Sequence, residues 1–369
     1  MTKKINFYID NKLVEALPGE SIWKVAKRYG TLLPHLCYAD KPGYRADGNC
    51  RACMVSIEGE RVLAASCIRQ PSDGMKVFTN DERSEKSRKM VMELLVTDQP
   101  KKEISHDPDS HFWKMADEVD IKKSRFDKRD PEIIPESDNS HVAMSVNLDA
   151  CINCNLCVRA CREVQVNDVI GMGNRGHTSK VIFDFNDPMG DSTCVSCGEC
   201  VQACPTGALM ESNLLDQKGK KVIKPDRKVD SLCPYCGVGC QLTYNIKDEK
   251  IVSVDGRDGP ANNNRLCVKG RFGFDYIHNP ERITKPLIRR KDAPKNPKEK
   301  LDSLNPLTHF REVSWEEALD FAAKKLIKIR DSKDGAKALA GFGCAKGSNE
   351  EAYLFQKLVR IGFKNNNVD

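Results

Sequence analysis

Seventeen cysteines occur in the chain, and sixteen of them fall into four sets of four with the spacing of iron–sulfur ligand frames. The first set is Cys37, Cys50, Cys53 and Cys67, with 12, 2 and 13 residues between successive members. Two runs, Cys151, Cys154, Cys157, Cys161 and Cys194, Cys197, Cys200, Cys204, both read C-x2-C-x2-C-x3-C, and the second continues into Pro205. The last set, Cys233, Cys236, Cys240 and Cys267, lies in CPYCGVGC and NRLCVKG. Thiolates so arranged grip iron and sulfide and would make the chain an electron conductor.

Zinc is the competing ligand for each frame, because it also takes four cysteines, usually as two C-x2-C pairs. The three-residue gap between Cys236 and Cys240 argues against it. In the twin runs, three ligands within one tight loop leave no room for a tetrahedral zinc shell to use all eight cysteines. Two-cluster bacterial runs share their ligands, the fourth cysteine of each serving the other cluster. The expected sets are therefore Cys151, Cys154, Cys157 with Cys204, and Cys194, Cys197, Cys200 with Cys161. The first frame departs from plant-type [2Fe–2S] ferredoxins, which open with a gap of four; around Gly48, small residues let backbone amides approach the sulfurs.

The elements that must position these frames show in the patterning. Ile5, Phe7 and Ile9 alternate with polar residues, turn at Asp10-Asn11 and resume at Leu13, a hairpin signal. Pro18-Gly19-Glu20-Ser21 then introduces Ile22, Val25, Ala26 and Tyr29 at helical spacing, closed by Gly30. A second hairpin is expected from Met54–Ile57 and Arg61–Leu63, which gives residues 1–80 a β-grasp layout. Residues 81–144 read as a helical and extended connector that begins with an amphipathic helix carrying Met90, Val91, Leu94 and Leu95. Residues 145–215 are an internally duplicated ferredoxin, and 216–228 a polar linker. Ser314 and Glu317 cap a helix whose expected buried stripe is Trp315, Leu319, Ala322, Leu326 and Ile329. Ala338 to Phe342 reads as a short buried strand, and the GCAKGS loop leads into a helix capped by Ser348 and Glu351.

At 369 residues several modules are expected, and the fold class is α+β multidomain. The formal charge of +6 counts every cysteine as neutral; clusters with their thiolates would take the total to roughly −2. The lysine-rich stretch from Lys291 to Lys300 has no interleaved aromatics for base stacking and reads as solvated surface, so no nucleic acid is expected. Without an export signal or a long apolar run, a cytoplasmic protein off the membrane is expected, in a compartment that keeps thiols reduced.

With its CPYCGVGC and CVKG motifs the chain resembles the large subunit of molybdenum- or tungsten-dependent, NAD-linked formate dehydrogenases. Its GNCRAC hexapeptide and first frame resemble the β-grasp module of the large peripheral-arm subunit of respiratory complex I and of related hydrogenases. The resemblance covers essentially the whole chain. It implies one [2Fe–2S] and three [4Fe–4S] clusters, with 229–285 as a molybdopterin-oxidoreductase Fe4S4 domain and 286–369 as the start of a molybdopterin-binding α/β domain. It also implies that Lys269, between cluster and pterin, relays electrons as the one catalytic group. Gly341, Gly343 and Gly347, with Lys346 and Asn349, would cradle a phosphate of a bis-molybdopterin guanine dinucleotide; the loop is not G-x-G-x-x-G, so a nicotinamide site is a weak reading. In that family formate is oxidised to CO2, electrons leave through the clusters, and a flavin-containing iron–sulfur partner subunit reduces NAD.

Arg162 in place of proline, and the insertion from 162 to 193, also occur in the complex I-like relatives. Those relatives commonly hold an extra cluster on one histidine and three cysteines; here the connector offers His106 and His111 without cysteine, so that cluster is expected to be missing and the histidines structural or on the surface. The family's metal-ligating cysteine or selenocysteine follows shortly after the NNNVD segment, where this chain ends, and Cys344 reads as a buried spare thiol. The leading expectation is the amino-terminal portion of a formate dehydrogenase catalytic subunit. Its main rival is a non-catalytic conductor of a complex I-like or hydrogenase assembly, with a zinc-rich interaction protein and a nitrate reductase further behind.

Overall fold

A computed structural model describes residues 4–127, 135–293, 295 and 305–369. Part of the charged connector and most of the lysine-rich stretch at 291–300 lie outside these residues. Two compact units divide the chain: Met1–Ser231 with Gln241–Phe272, and Leu232–Cys240 with Gly273–Asp369.

The first unit opens with the hairpin of β1 (Ile5–Ile9) and β2 (Lys12–Ala16), whose turn residues Asp10 and Asn11 both have positive φ, 47° and 65°. That is the pairing a two-residue hairpin loop requires. Ser21 caps α1 (Ile22–Arg28) by accepting from the Lys24 N–H. Buried Ile22, Trp23, Val25 and Ala26 face a sheet completed by β3 (Met54–Ile57), β4 (Ala64–Ala65) and β5 (Lys76–Phe78). The strand order is β2-β1-β5-β3-β4, with β5 parallel to β1, which is the β-grasp layout. Its second hairpin closes later than expected, because Met54 pairs with Ala65 and Val55 with Ala64. Val62 stays 60% exposed, so the arm forms where small residues can sit beside the cysteine loop.

The connector forms α2 (Glu82–Thr97) and α3 (His111–Glu118). The buried face of α2 is Ser84, Arg88, Met92 and Val96, one row of i+4 neighbours, and Leu94 is exposed. The expected stripe is thus rotated, since Arg88 is drawn inward to donate to the Thr79 carbonyl. Met92 and Val96 pack with Phe112, Trp113, Leu36 and Ala52 under the first cysteine loop.

The duplicated ferredoxin pairs β6 (Met144–Val146) with a later strand, Leu209–Glu211, across its whole length. Between them lie α4 (Leu156–Arg159), the hairpin of β7 (Ile170–Gly173) and β8 (Lys180–Phe183), and α5 (Glu199–Ala203). The later strand is β9, and a three-stranded sheet of β10 (Arg227–Leu232), β11 (Gln241–Lys247) and β12 (Lys250–Gly256) follows. The short helix α6 (Val268–Phe272) ends the unit.

The second unit pairs β13 (Leu287–Arg289) with β14 (Phe310–Glu312) and carries α7 (Trp315–Arg330) and α8 (Asn349–Lys357). Ser314 caps α7 as expected, but the stripe on α7 is not buried: Trp315 is 69% and Leu319 63% exposed. Residues 338–342 are likewise no strand. Gly341 makes a single parallel bridge to Val368, only Leu339 and Gly341 are buried, and Phe342 is exposed. Its backbone bonds go from Gly341 N–H to Asn367 and from Asp369 N–H to Gly341, and the Leu339 carbonyl accepts from the Asn365 and Asn367 side chains, so side-chain partners stand where a strand ladder would continue.

Candidate iron–sulfur centres

In the β-grasp module Cys37, Cys53 and Cys67 are buried and Cys50 half-buried. The Cys50 N–H donates to Cys37 Sγ at 3.4 Å. The thiols also pair among themselves. Hydrogen bonding from Cys37 holds Cys50 down to about 7, and Cys67 does the same for Cys53, while the donors Cys37 and Cys67 are pushed up by those bonds and by burial. Gly48 has φ +67°, and a Cβ there would meet Ile68 at 3.0 Å, so the loop closes on the sulfurs only with glycine.

The twin runs are conformational copies. Asn153 and Ser196, two residues after the first cysteine of each, have φ 52° and 56°; Asn155 and Gly198, just after the second, have φ 61° and 69°. Left-handed residues at these points turn successive N–H groups inward as an anion nest. Asn153 N–H donates to Cys151 Sγ, Ser196 N–H to Cys194 Sγ and Val169 N–H to Cys161 Sγ, all at 3.4 Å. Two cavities result. Cys151, Cys154, Cys157 and Cys204 line one, with Leu148, Ile152, Val181 and Pro205. Cys161, Cys194, Cys197 and Cys200 line the other, with Val169 and Ile170. Each run therefore lends its fourth cysteine to the cavity of the other. Burial pushes the Cys154, Cys157 and Cys200 thiols up, so cluster assembly must displace protons from them. Among the described residues no three His, Cys, Asp or Glu side chains close on a single ion-sized point; the sulfurs stand around cavities instead, which fits a cluster.

The last set is divided between the units. Cys233 N–H donates to the Cys240 carbonyl at 2.8 Å and Gly239 has φ +71°, which folds CPYCGVGC into a tight loop. A Cβ on Gly237 would meet the Ala345 carbonyl at 3.0 Å, so this loop touches the GCAKGS loop within the second unit. Cys267 immediately precedes α6, and Lys269 is exposed on that helix.

Around GCAKGS the structure departs from a free phosphate cradle. Gly343 N–H is already donated to the Asp369 carbonyl at 2.6 Å, and the Glu351 carboxylate accepts the Ser348 N–H in a capping box ahead of Asn349. Gly341, where a Cβ would meet Val359 at 2.6 Å, serves packing. Gly343, Gly347 and Cys344 line an open cavity of about 730 Å³. Cys344 is exposed there rather than buried, because no strand forms beside it to cover the loop.

His106 and His111 both have structural partners. Burial pulls His106 down, but Asp149 and the Gly219 carbonyl, at 2.9 and 2.8 Å, outweigh it and raise the group. His111 Nε2 lies 2.7 Å from the His35 carbonyl and burial lowers it.

Sequence reasoning missed the buried charges at the module seams. Arg271, 1% exposed, donates to the Cys197 carbonyl at 3.3 Å, to Val254 O at 2.9 Å and to Glu199 at 3.4 Å. Glu199, equally buried, accepts from Tyr44 OH of the β-grasp module at 2.9 Å. Arg159 is held in the same way at another seam. The one available signal is position: Arg159 and Glu199 lie between ligand cysteines, where a charged residue cannot easily reach solvent. Nearby, Glu211, Asp255, Lys221 and Arg271 share a cavity of about 330 Å³.

Fold and sites together define a multidomain iron–sulfur protein, and comparison with known proteins refines that class. Residues 2–82 match the family described as a 2Fe-2S iron-sulfur cluster binding domain and 150–208 a 4Fe-4S dicluster domain. Residues 226–279 match a molybdopterin oxidoreductase Fe4S4 domain and 282–368 molybdopterin oxidoreductase. The chain is 33% identical, over 99% of its length and 40% of the relative's, to a subunit of the NADH-quinone oxidoreductase of Rhizobium meliloti. It is 30% identical, over 95% of its length and 37% of the relative's, to a Staphylococcus haemolyticus protein provisionally named a formate dehydrogenase. The alpha subunit of a Geobacter sulfurreducens NADPH-Fe(3+) oxidoreductase is 29% identical over 99% of this chain and 40% of its own. The chain thus spans about two-fifths of the length of the curated relatives it matches. Among solved structures, a chain of an NAD+-reducing [NiFe]-hydrogenase aligns with TM-score 0.50 and 25% identity, over 56% of this chain and 87% of its own. Two iron–sulfur modules and two modules of the molybdopterin oxidoreductase type thus follow one another along the chain, and over nearly its whole length it is similar to subunits of NADH-quinone oxidoreductase and to proteins provisionally named formate dehydrogenases.

Proposed function

We propose that this chain is the electron-conducting portion of an oxidoreductase. The observation that carries the reading is the pair of cysteine-lined cavities with crossed fourth ligands, flanked by the first frame. In this reading Cys37, Cys50, Cys53 and Cys67 hold a [2Fe–2S] cluster. The two cavity sets and Cys233, Cys236, Cys240 and Cys267 each hold a [4Fe–4S] cluster. Iron–sulfur clusters supply reversible one-electron storage when bound; the polypeptide supplies their order, their dry walls and the amides aimed at their sulfurs. Electrostatic contact between sets follows the same order. After burial, the Cys154 thiol is raised by neighbours that include Cys37, and the Cys157 thiol by neighbours that include Cys200. Arg271, four residues beyond Cys267, reaches the Cys197 carbonyl.

For the finer assignment, the provisional name of the Staphylococcus relative and the molybdopterin oxidoreductase match support a formate dehydrogenase catalytic subunit. It would hold a molybdenum or tungsten bis-pterin centre and work in the cytoplasm beside a flavin-containing, NAD-reducing partner. Gly343, Lys346, Gly347 and Asn349 would approach the pterin phosphate, and exposed Lys269 would lie between cluster and pterin. The commitments of Gly343 N–H and of the α8 cap mean that this loop must rearrange to do so. A second reading, a conductor without its own active site, is favoured by the hydrogenase likeness, which takes in 87% of that chain. Purification without oxygen, with iron and sulfide analysis, tests the shared part: about 14 irons per chain are expected, and a colourless, zinc-loaded product would refute it. Formate-dependent NAD reduction by the complete assembly separates the two finer readings.

A further inference from the structure

Arg159 sits on α4 between Cys157 and Cys161, and only 2% of its surface is exposed. A guanidinium cannot shed its charge when buried, so this one must be satisfied within the protein. Its partners lie on both sides of a seam between modules. Nη2 donates to the Cys37 carbonyl at 2.6 Å and to the Cys154 carbonyl at 3.3 Å, so one nitrogen reaches the backbones of two cysteines from different frames. Nη1 donates to the Arg45 carbonyl and Nε to that of Asn155 at 3.3 Å. Among the described residues one carboxylate answers the charge, Asp47 at 3.2 Å, and it is shared with Arg45.

We propose that Arg159 is a positioning residue for electron exchange between the first frame and the frame of Cys151, Cys154, Cys157 and Cys204. It fastens the two ligand loops to one another, and its charge raises the reduction potentials of both centres. An added electron makes either centre more negative, and a cation fixed in a dry wall acts on it more strongly than one in water. The same cation offsets the repulsion between the two centres when both are reduced. Arginine suits the task because its planar fork can hold several carbonyls at once, whereas lysine would bring the charge alone.

This inference rests on the conductor reading, and one experiment tells their failures apart. The full chain, wild type and the variants Arg159→Met, Arg159→Lys and Asp47→Asn, is reconstituted without oxygen, assayed for iron and titrated electrochemically while its paramagnetic signals are followed. Loss of the charge in Arg159→Met should shift the [2Fe–2S] signal, and the [4Fe–4S] signal magnetically coupled to it, to more negative potential. The remaining centres should keep theirs. Arg159→Lys should recover most of the shift, and Asp47→Asn should move the same pair the opposite way. Wild-type protein without clusters defeats the conductor reading itself. Loaded Arg159→Met with unmoved potentials, or Arg159→Lys indistinguishable from it, overturns the role given to Arg159. Should Arg159→Met fail to assemble, an unmoved Asp47→Asn overturns it equally.

Discussion

Single buried charges lie where modules meet, and each carries a measurable consequence. Glu211 is the clearest case for pH. Burial pushes its carboxyl up from 4.5 to about 7, against the pull of Arg271 and Lys221, while Asp255 adds to the rise. The folded chain therefore binds a proton that the unfolded chain has released between those values, so the contribution of Glu211 to stability is fully present below about pH 4.5 and is lost as the pH rises towards 7. Glu211→Gln should remove that fall, gaining on the order of 2–3 kcal/mol at pH 8 and nothing below pH 4.5. Unfolding midpoints at the two pH values check it; equal gains at both would show that Glu211 is not protonated in the fold. The cysteines are legible in sequence because inorganic geometry fixes their spacing. Arg159, Arg271 and Glu199 are not, because partners that hold them lie from 74 to 155 residues away and such contacts leave no period behind.

Elements divide the same way. The first hairpin, α1 with its Ser21 cap and the ferredoxin duplication are readable, since alternation, capping and repetition are local signals. The arm at Ala64–Ala65 and the turned face of α2 are not, because each is decided by what lies opposite: the cysteine loop for one and the Thr79 carbonyl for the other. In α7 periodicity correctly finds the helix but cannot say whether its apolar stripe is covered. With Leu319 and Leu326 exposed, Leu319→Glu and Leu326→Glu should change stability by no more than about 0.5 kcal/mol while reducing the binding of a hydrophobic dye. A loss of several kcal/mol on thermal unfolding would mean that the stripe is buried after all.

Across the whole chain, the first unit contains the β-grasp, both ferredoxin halves and the β10–β12 sheet, and the second holds CPYCGVGC with the GCAKGS loop. A cut in the exposed 174–178 loop between β7 and β8 leaves Cys161 and Cys204 each on the opposite fragment from the other three cysteines of its cavity. With a protease site built into that loop, cleaved protein should run as one species in mild urea while iron is present and come apart once the iron is chelated. Separation with iron still bound would show that the fourth cysteines do not cross. This exchange of sulfurs makes the duplicated halves behave as clasped hands. With clusters bound as proposed, oxidative damage that strips either centre would loosen the grip on its twin, so the pair would fail together and have to be rebuilt together.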